Sequence, residues 1–138
     1  MRVVLDTNIL ISTFLFPGGS PEAAYRLVLE GRAQLVTSRP LLAEFGSVLQ
    51  RKFGWEAGPT EAAVAQLIRI AEMVEPSDKL AVVAVDPSDD RVLEAAVAGR
   101  AAVVVSGDRH LLELGHWSEI PIMDAASFIA WVREQDQA

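Results

Sequence analysis

The sequence predicts an α/β fold, a parallel sheet covered by helices on both faces, and three observations predict it. Short, wholly apolar segments such as Val3-Val4-Leu5 and Val103-Val104-Val105 have the length and β-branched content of strands buried on both sides. Segments with apolar residues at helical spacing separate them, the alternation that builds layered α/β domains. Finally, two of the strands run straight into acidic residues, Asp6 in Asp6-Thr7-Asn8 and Asp108 in Ser106-Gly107-Asp108. In open parallel sheets ligands bind beyond the carboxyl ends of the strands, where strand order reverses, so the chemistry is expected at that edge.

Taken in order, residues 2–6 form the first strand, and Asn8 to Phe14 begin a helix that Pro17-Gly18-Gly19 breaks. Ser20-Pro21-Glu22 reads as a helix start, with a serine cap, proline at the first position and an acid in the first turn. That helix runs to Glu30, and Gly31 closes it. Gln34 to Thr37 is a second strand; Ser38 then caps a helix with Leu41, Leu42, Phe45, Val48 and Leu49 on one face. Thr60 opens the next helix, with Val64, Leu67, Ile68 and Ala71 at helical spacing. Met73 to Glu75 and Leu80 to Val85 are both β-like, and only one of them need join the sheet. Asp89 to Ala98 is an alanine-rich helix, Ala102 to Val105 a strand, and a short helix follows Asp108. Ile120 to Met123 makes the last strand and Ala125 to Arg133 the last helix.

The 138 residues fit one domain, 1–138, able to bury a substantial core. No apolar run approaches the ~20 residues needed to span a bilayer, and the N-terminus lacks the pattern of a signal peptide, which points to the cytoplasm and to no membrane partner. With no cysteine and two histidines, disulfides and thiolate metal sites are excluded and a histidine-rich zinc site is disfavoured. The net charge of −7 argues against a non-specific nucleic-acid binder, which shows a basic footprint, but not against a nuclease whose acids hold cations.

Glu44 and Asp90 join Asp6 and Asp108 in a set of candidate ligands. Clustered carboxylates repel one another, and a divalent cation is the usual remedy. Each acid also has a structural reading. Asp6 and Asp108 stand where N-caps stand, and Glu44, about a quarter-turn from the centre of its helix's apolar stripe by ~100° per residue, suits a half-buried flank beside Arg51 or Lys52. In Asp86-Pro87-Ser88-Asp89-Asp90 helix-start chemistry accounts for most of the charge, and Asp90, just inside the helix, is best placed to face the sheet edge. Ser106 and Thr7 supply hydroxyls nearby. His110 is a peripheral candidate, and Trp55, Trp117 and Trp131 read as core or interface residues. Among Arg39, Arg51, Lys52, Arg91 and Arg109, Arg109 is the preferred substrate-binding cation because it adjoins Asp108.

These segments together, Val3-Val4-Leu5-Asp6-Thr7-Asn8, a mid-chain Glu44, Asp89-Asp90-Arg91-Val92-Leu93-Glu94-Ala95-Ala96 and Val104-Val105-Ser106-Gly107-Asp108-Arg109, resemble the PIN-domain family. Within it the chain is most similar to the branch of toxin components of toxin–antitoxin pairs, the VapC-type toxins. The resemblance implies a three-layer α/β/α sandwich with a central, mainly parallel sheet. It also implies a metal-dependent endoribonuclease, in which Asp6, Glu44, Asp90 and Asp108 hold one or two Mg²⁺ or Mn²⁺ ions and Asn8 and Ser106 order the site. It further implies an RNA substrate, a cognate antitoxin and a homodimer; Phe14, Leu15 and Phe16 suit an interface or a core equally. Many relatives carry a further acid where this chain has His110, so one ion is expected more firmly than two.

Two rival functions are weighed against this one. A haloacid-dehalogenase-like phosphatase needs a second aspartate two residues after the first, where Asn8 stands, and a lysine that Ala101-Ser106 lacks. A non-catalytic PIN-like module for RNA binding or protein interaction is the other.

Overall fold

The computed structural model describes residues 1–77 and 87–137, with the side chains of Pro87 and Ser88 left aside. Its elements are β1 (Arg2–Leu5), α1 (Thr7–Leu15), α2 (Ser20–Leu29), β2 (Gln34–Ser38), α3 (Arg39–Phe53), α4 (Ala57–Ile70) and β3 (Glu72–Val74). After these come α5 (Pro87–Ala98), β4 (Val103–Val105), α6 (Arg109–Leu114), β5 (His116–Trp117), β6 (Ile120–Met123) and α7 (Ala125–Gln137). The strands form one six-stranded sheet in the order β3-β2-β1-β4-β6-β5, parallel except for β5.

Strand alternation divides the core between the two faces of this sheet. Val3, Leu5, Leu35, Val103 and Val105 pack with Ile9, Leu10, Tyr25, Phe45, Leu67 and Phe128, so α1, α2, α3, α4 and α7 cover one face. Val4, Val36 and Val104 pack with Val92, Leu93, Ala96 and Leu111, so α5 and α6 lie against the other. A sheet covered on both sides is why Val3-Val4-Leu5 of β1 and all of β4 are apolar and buried.

The chain starts at the centre of the sheet, steps outward through β2 and β3, then returns to the opposite side of β1 with β4. Strand order therefore reverses between β1 and β4, where Leu5 lies opposite Val105. Among the described residues no helix is long and apolar enough to cross a membrane.

Of the two β-like candidates, the earlier one supplies the edge strand β3, pairing with β2; Leu80 to Val85 lies outside the described residues. Three local readings are corrected. The cap of α2 is Gly19, not Ser20, with no side-chain cap bond, and Pro21 sits in the first turn; Glu22 reaches back to accept from the Gly18 N–H at 2.9 Å and ties the preceding loop to the helix. Helix α4 begins at Ala57 rather than Thr60, whose hydroxyl donates back to the Glu56 carbonyl at 2.8 Å; Pro59 is tolerated because a first-turn residue needs no intrahelical N–H bond. Strand β5 was not foreseen. It pairs with β6 through the tight turn Ser118-Glu119, both at positive φ, and this pair lacks the Asn-Gly or Asp-Gly signature of such turns. Ser38, by contrast, caps α3 as predicted, and left-handed Gly54 ends it.

Candidate metal centre

At the switch point the backbone delivers two acidic loops side by side. Asp6 N–H donates to the Val105 carbonyl at 2.9 Å, and Ser106 N–H to that of Met123 at 3.0 Å, so β1 and β4 end level with each other. Asp6 and Asp108 each begin a helix, and each does cap it: Thr7 N–H donates to Asp6 Oδ1 at 2.7 Å and Leu111 N–H to Asp108 Oδ2 at 3.1 Å. The structural role and a role at the site are therefore compatible, since a carboxylate has lone pairs to spare.

Ser106 ties the two acids together. Fully buried, it donates its hydroxyl to Asp6 Oδ2 at 2.6 Å while accepting from the Asp108 N–H at 2.9 Å. Asn8, on the first turn of α1, accepts from the Gly107 N–H at 3.1 Å and so clamps the same two loops. The supporting positions read from the sequence are thus bonded across the strand ends.

A cleft of about 360 Å³ opens here, lined by Asp6, Thr7, Asn8, Glu44, Lys52, Asp89 and Asp108 and by the apolar Ile11, Val48, Phe16 and Phe53. Asp6 forms its buried floor. Burial pushes its carboxyl up to about 6; hydrogen bonds from Ser106 and Thr7 oppose the rise, and the negative charges of Glu44 and Asp108 add to it. Glu44 and Asp108 are close enough to act on Asp6 electrostatically although they come from α3 and from the start of α6.

The acids of α5 divide. Asp89 and Asp90 are both buried, at 5% and 3% exposure, and Asp89 is the one that lines the cleft. The sequence reading favoured Asp90; nothing in the spacing of two adjacent acids at a helix start tells which one the helix rotation will aim at the sheet edge. Asp86 lies outside the described residues. Arg109 is largely exposed and pairs with Glu113 at 3.5 Å, away from the cleft wall, which Lys52 occupies instead. Arg39 and Arg51 line a different, larger groove of about 860 Å³ between α3, α4 and β3, which contains none of the candidate ligands. Arg91 pairs with the buried Glu94 at 2.8 Å. His110 is half-buried on α6 and does not line the cleft.

The donor chemistry of the cleft fits a hard divalent cation: every charged acceptor is a carboxylate oxygen, with no sulfur or imidazole among the lining residues. Thr7 Oγ1, buried and lining the same cleft, has no hydrogen-bond partner among the described residues, which is what a bound ion's hydration shell supplies. Among the described residues no three acidic or histidine side chains already stand arranged to hold an ion.

A parallel sheet with an acidic cleft at its switch point, clamped by a serine between its two central strands, defines the class of fold. The PIN domain profile matches residues 2–110, which include every residue of the site, and the chain belongs to the PIN domain family. It is 25% identical over 118 residues to an uncharacterized protein of Methanocaldococcus jannaschii, covering 83% of this chain and 75% of that one. Among solved structures it is similar to PAE2754 from Pyrobaculum aerophilum, with a TM-score of 0.65 at 17% identity, covering 98% of this chain and 91% of that one. It is also similar to VapBC2 from Rickettsia felis, solved bound to a DNA fragment from their promoter, with a TM-score of 0.64 at 14% identity, covering 90% and 98%. VapBC-1 from nontypeable Haemophilus influenzae gives 0.60 at 16% identity, covering 91% and 99%. At these identities the likeness is one of fold.

Proposed function

We propose that the chain acts as one nuclease domain, a Mg²⁺- or Mn²⁺-dependent endoribonuclease, with Asp6, Glu44, Asp108 and the Asp89-Asp90 pair as its ligand set. The observation that carries this reading is the electrostatic convergence on Asp6. A carboxyl pushed to about 6 by burial and by two neighbouring acids is still mainly ionised at neutral pH, and a cation relieves that repulsion. Bound there, the ion supplies Lewis-acid activation of a water and of the scissile phosphate.

The chain's own residues prepare the site. Ser106 holds the Asp6 carboxylate in one orientation, and the Asp108 backbone holds Ser106, so the two acids move as a unit. Thr7 N–H fixes the other oxygen of Asp6. No histidine lines the cleft, so the groups there able to hold a cation or take up a proton are its carboxylates. The VapBC likeness supports a toxin role with a cognate protein that covers the cleft, and family membership supports RNA as substrate and a homodimer as the assembly.

The test is cleavage of a mixed panel of structured and single-stranded RNAs with Mn²⁺, with Mg²⁺ and with EDTA. Cleavage should require the metal, and D6N and D108N should each lower it at least a hundredfold while keeping wild-type circular dichroism. Full activity in either purified variant would sink the assignment. D89N and D90N, run alongside, identify which α5 acid contributes.

A further inference from the structure

The chain has four threonines, Thr7, Thr13, Thr37 and Thr60, and all but Thr37 lie in helices. Two of the helical ones settle their hydroxyls locally. Thr13 donates to the Ile9 carbonyl at 2.9 Å and Thr60 to that of Glu56 at 2.8 Å, the bond to the fourth residue back that helical threonines commonly make. Thr7 has no such outlet. It opens α1, so the fourth residue back is Val3, which belongs to β1 and not to a preceding helical turn. Its hydroxyl is buried without a hydrogen-bond partner among the described residues, and the residue, 6% exposed, stands in the wall of the acid cleft. The Thr7 N–H donates to Asp6 Oδ1 at 2.7 Å, which fixes this residue beside the buried carboxylate. Branching at Cβ restricts the side chain further.

From this juxtaposition we infer that Thr7 is a positioning residue for the divalent cation and biases the site toward ions that keep their water. Its hydroxyl accepts a hydrogen bond from a water of the ion's shell and so holds the hydrated ion beside Asp6. This role rests on the cation proposed for the cleft and adds to it an uncharged residue outside the carboxylate set. The chemistry is that of an acceptor. A water bound to a cation turns its lone pairs to the metal and offers only its protons, and a hydroxyl has lone pairs to receive them. Groups that act through such contacts carry a large share of metal affinity although they never touch the ion. The selectivity follows from hydration: Mg²⁺ dehydrates reluctantly and keeps several waters in a near-octahedral array, whereas Ca²⁺ takes more oxygen ligands in looser geometry. A contact made through water therefore favours Mg²⁺.

The experiment measures Mg²⁺ and Ca²⁺ binding by isothermal titration calorimetry, and Tm in EDTA, for wild type, T7V, T7S and T37V. Valine copies the shape of threonine without its hydroxyl. T7V should bind Mg²⁺ roughly tenfold more weakly and Ca²⁺ with a smaller loss. In EDTA it should melt no lower than wild type, because the group removed was buried without a partner. T7S, which restores the hydroxyl, should recover most of the Mg²⁺ affinity. Thr37 is the control: its hydroxyl is likewise buried without a partner among the described residues, but it does not line the cleft, so T37V should leave both affinities unchanged. Wild-type Mg²⁺ affinity in T7V, or an equal loss in T37V, overturns the role of Thr7 and leaves the cation reading standing. Equal losses for the two ions overturn a contact made through water, and a T7V that melts lower in EDTA makes the hydroxyl a structural one. A wild type that binds neither ion overturns the cation reading and the role of Thr7 with it.

Discussion

Asp6 concentrates the conflict between folding and function in a single side chain. Its carboxyl sits at about 6 in the folded protein against an ordinary value of 3.8, so the native state holds a proton that the unfolded chain has already released. Stability from this group is thus greatest below pH 4 and falls as pH rises through 6, by up to about 3 kcal/mol at ~1.4 kcal/mol per unit. Replacing Asp6 with asparagine removes the charge and keeps an acceptor for the Thr7 N–H. In EDTA, urea denaturation should find D6N more stable than wild type by roughly 1–2 kcal/mol at pH 7.5, with the gap closing toward pH 4. A gap independent of pH would show that Asp6 is not the strained group. The residues around it were unequally legible. Asp6 and Asp108 could be found because a strand that empties into an acid is a local pattern. Lys52 stands among five candidate cations with Arg109 preferred, and neither Phe16 nor Phe53 reads as lining the site, because only helix rotation and the α1–α3 packing turn these three toward one cleft.

Among the elements, α5 shows how packing decides a local choice that propensity leaves open. After the helix one residue must adopt positive φ, and Arg100 does so at 51° although Gly99 stands beside it. The glycine is needed for a different reason: a Cβ there would run into Val36 Cγ1 on β2 and lie 3.1 Å from the Ala95 carbonyl. Gly99→Ala should therefore cost about 1–3 kcal/mol in thermal or urea unfolding, as overpacking does. A neutral G99A would mean that β2 and α5 are free to separate. The same dependence on context explains what the sequence concealed at element level. The hairpin before β6 uses Ser118-Glu119 at positive φ, residues without the usual turn signal. The first turn of α4 hid behind Pro59, and Thr60 resembled a cap because its hydroxyl bonds backbone from inside the helix as readily as from its end.

For the molecule as a whole, the cation proposed for the acidic cleft would also stabilise the fold, because it would relieve carboxylate repulsion in a chain of net charge −7. A ligand that binds only the folded state at a hundred times its Kd adds about 2.7 kcal/mol. Saturating Mn²⁺ should accordingly raise Tm by about 5–10 °C over an equal ionic strength of NaCl, and D108N should lose most of that rise. An identical Tm in Mn²⁺ and NaCl would leave the acids without their cation.

The sequence by itself determined the fold class, the alternation of strands and helices apart from β5 and the choice of β3, and the two acids at the strand ends. These follow from apolar periodicity and from residues adjacent in the chain, which physical chemistry reads locally. Which partners those acids meet was decided by the tertiary structure alone. Placing β4 beside β1 puts Ser106 within hydrogen-bonding reach of Asp6, and the rotation of α3 and α5 about their axes sets Glu44 and Asp89 on the cleft wall. A shift of one residue along a helix turns a side chain by ~100°, and only the packed core selects among such rotations.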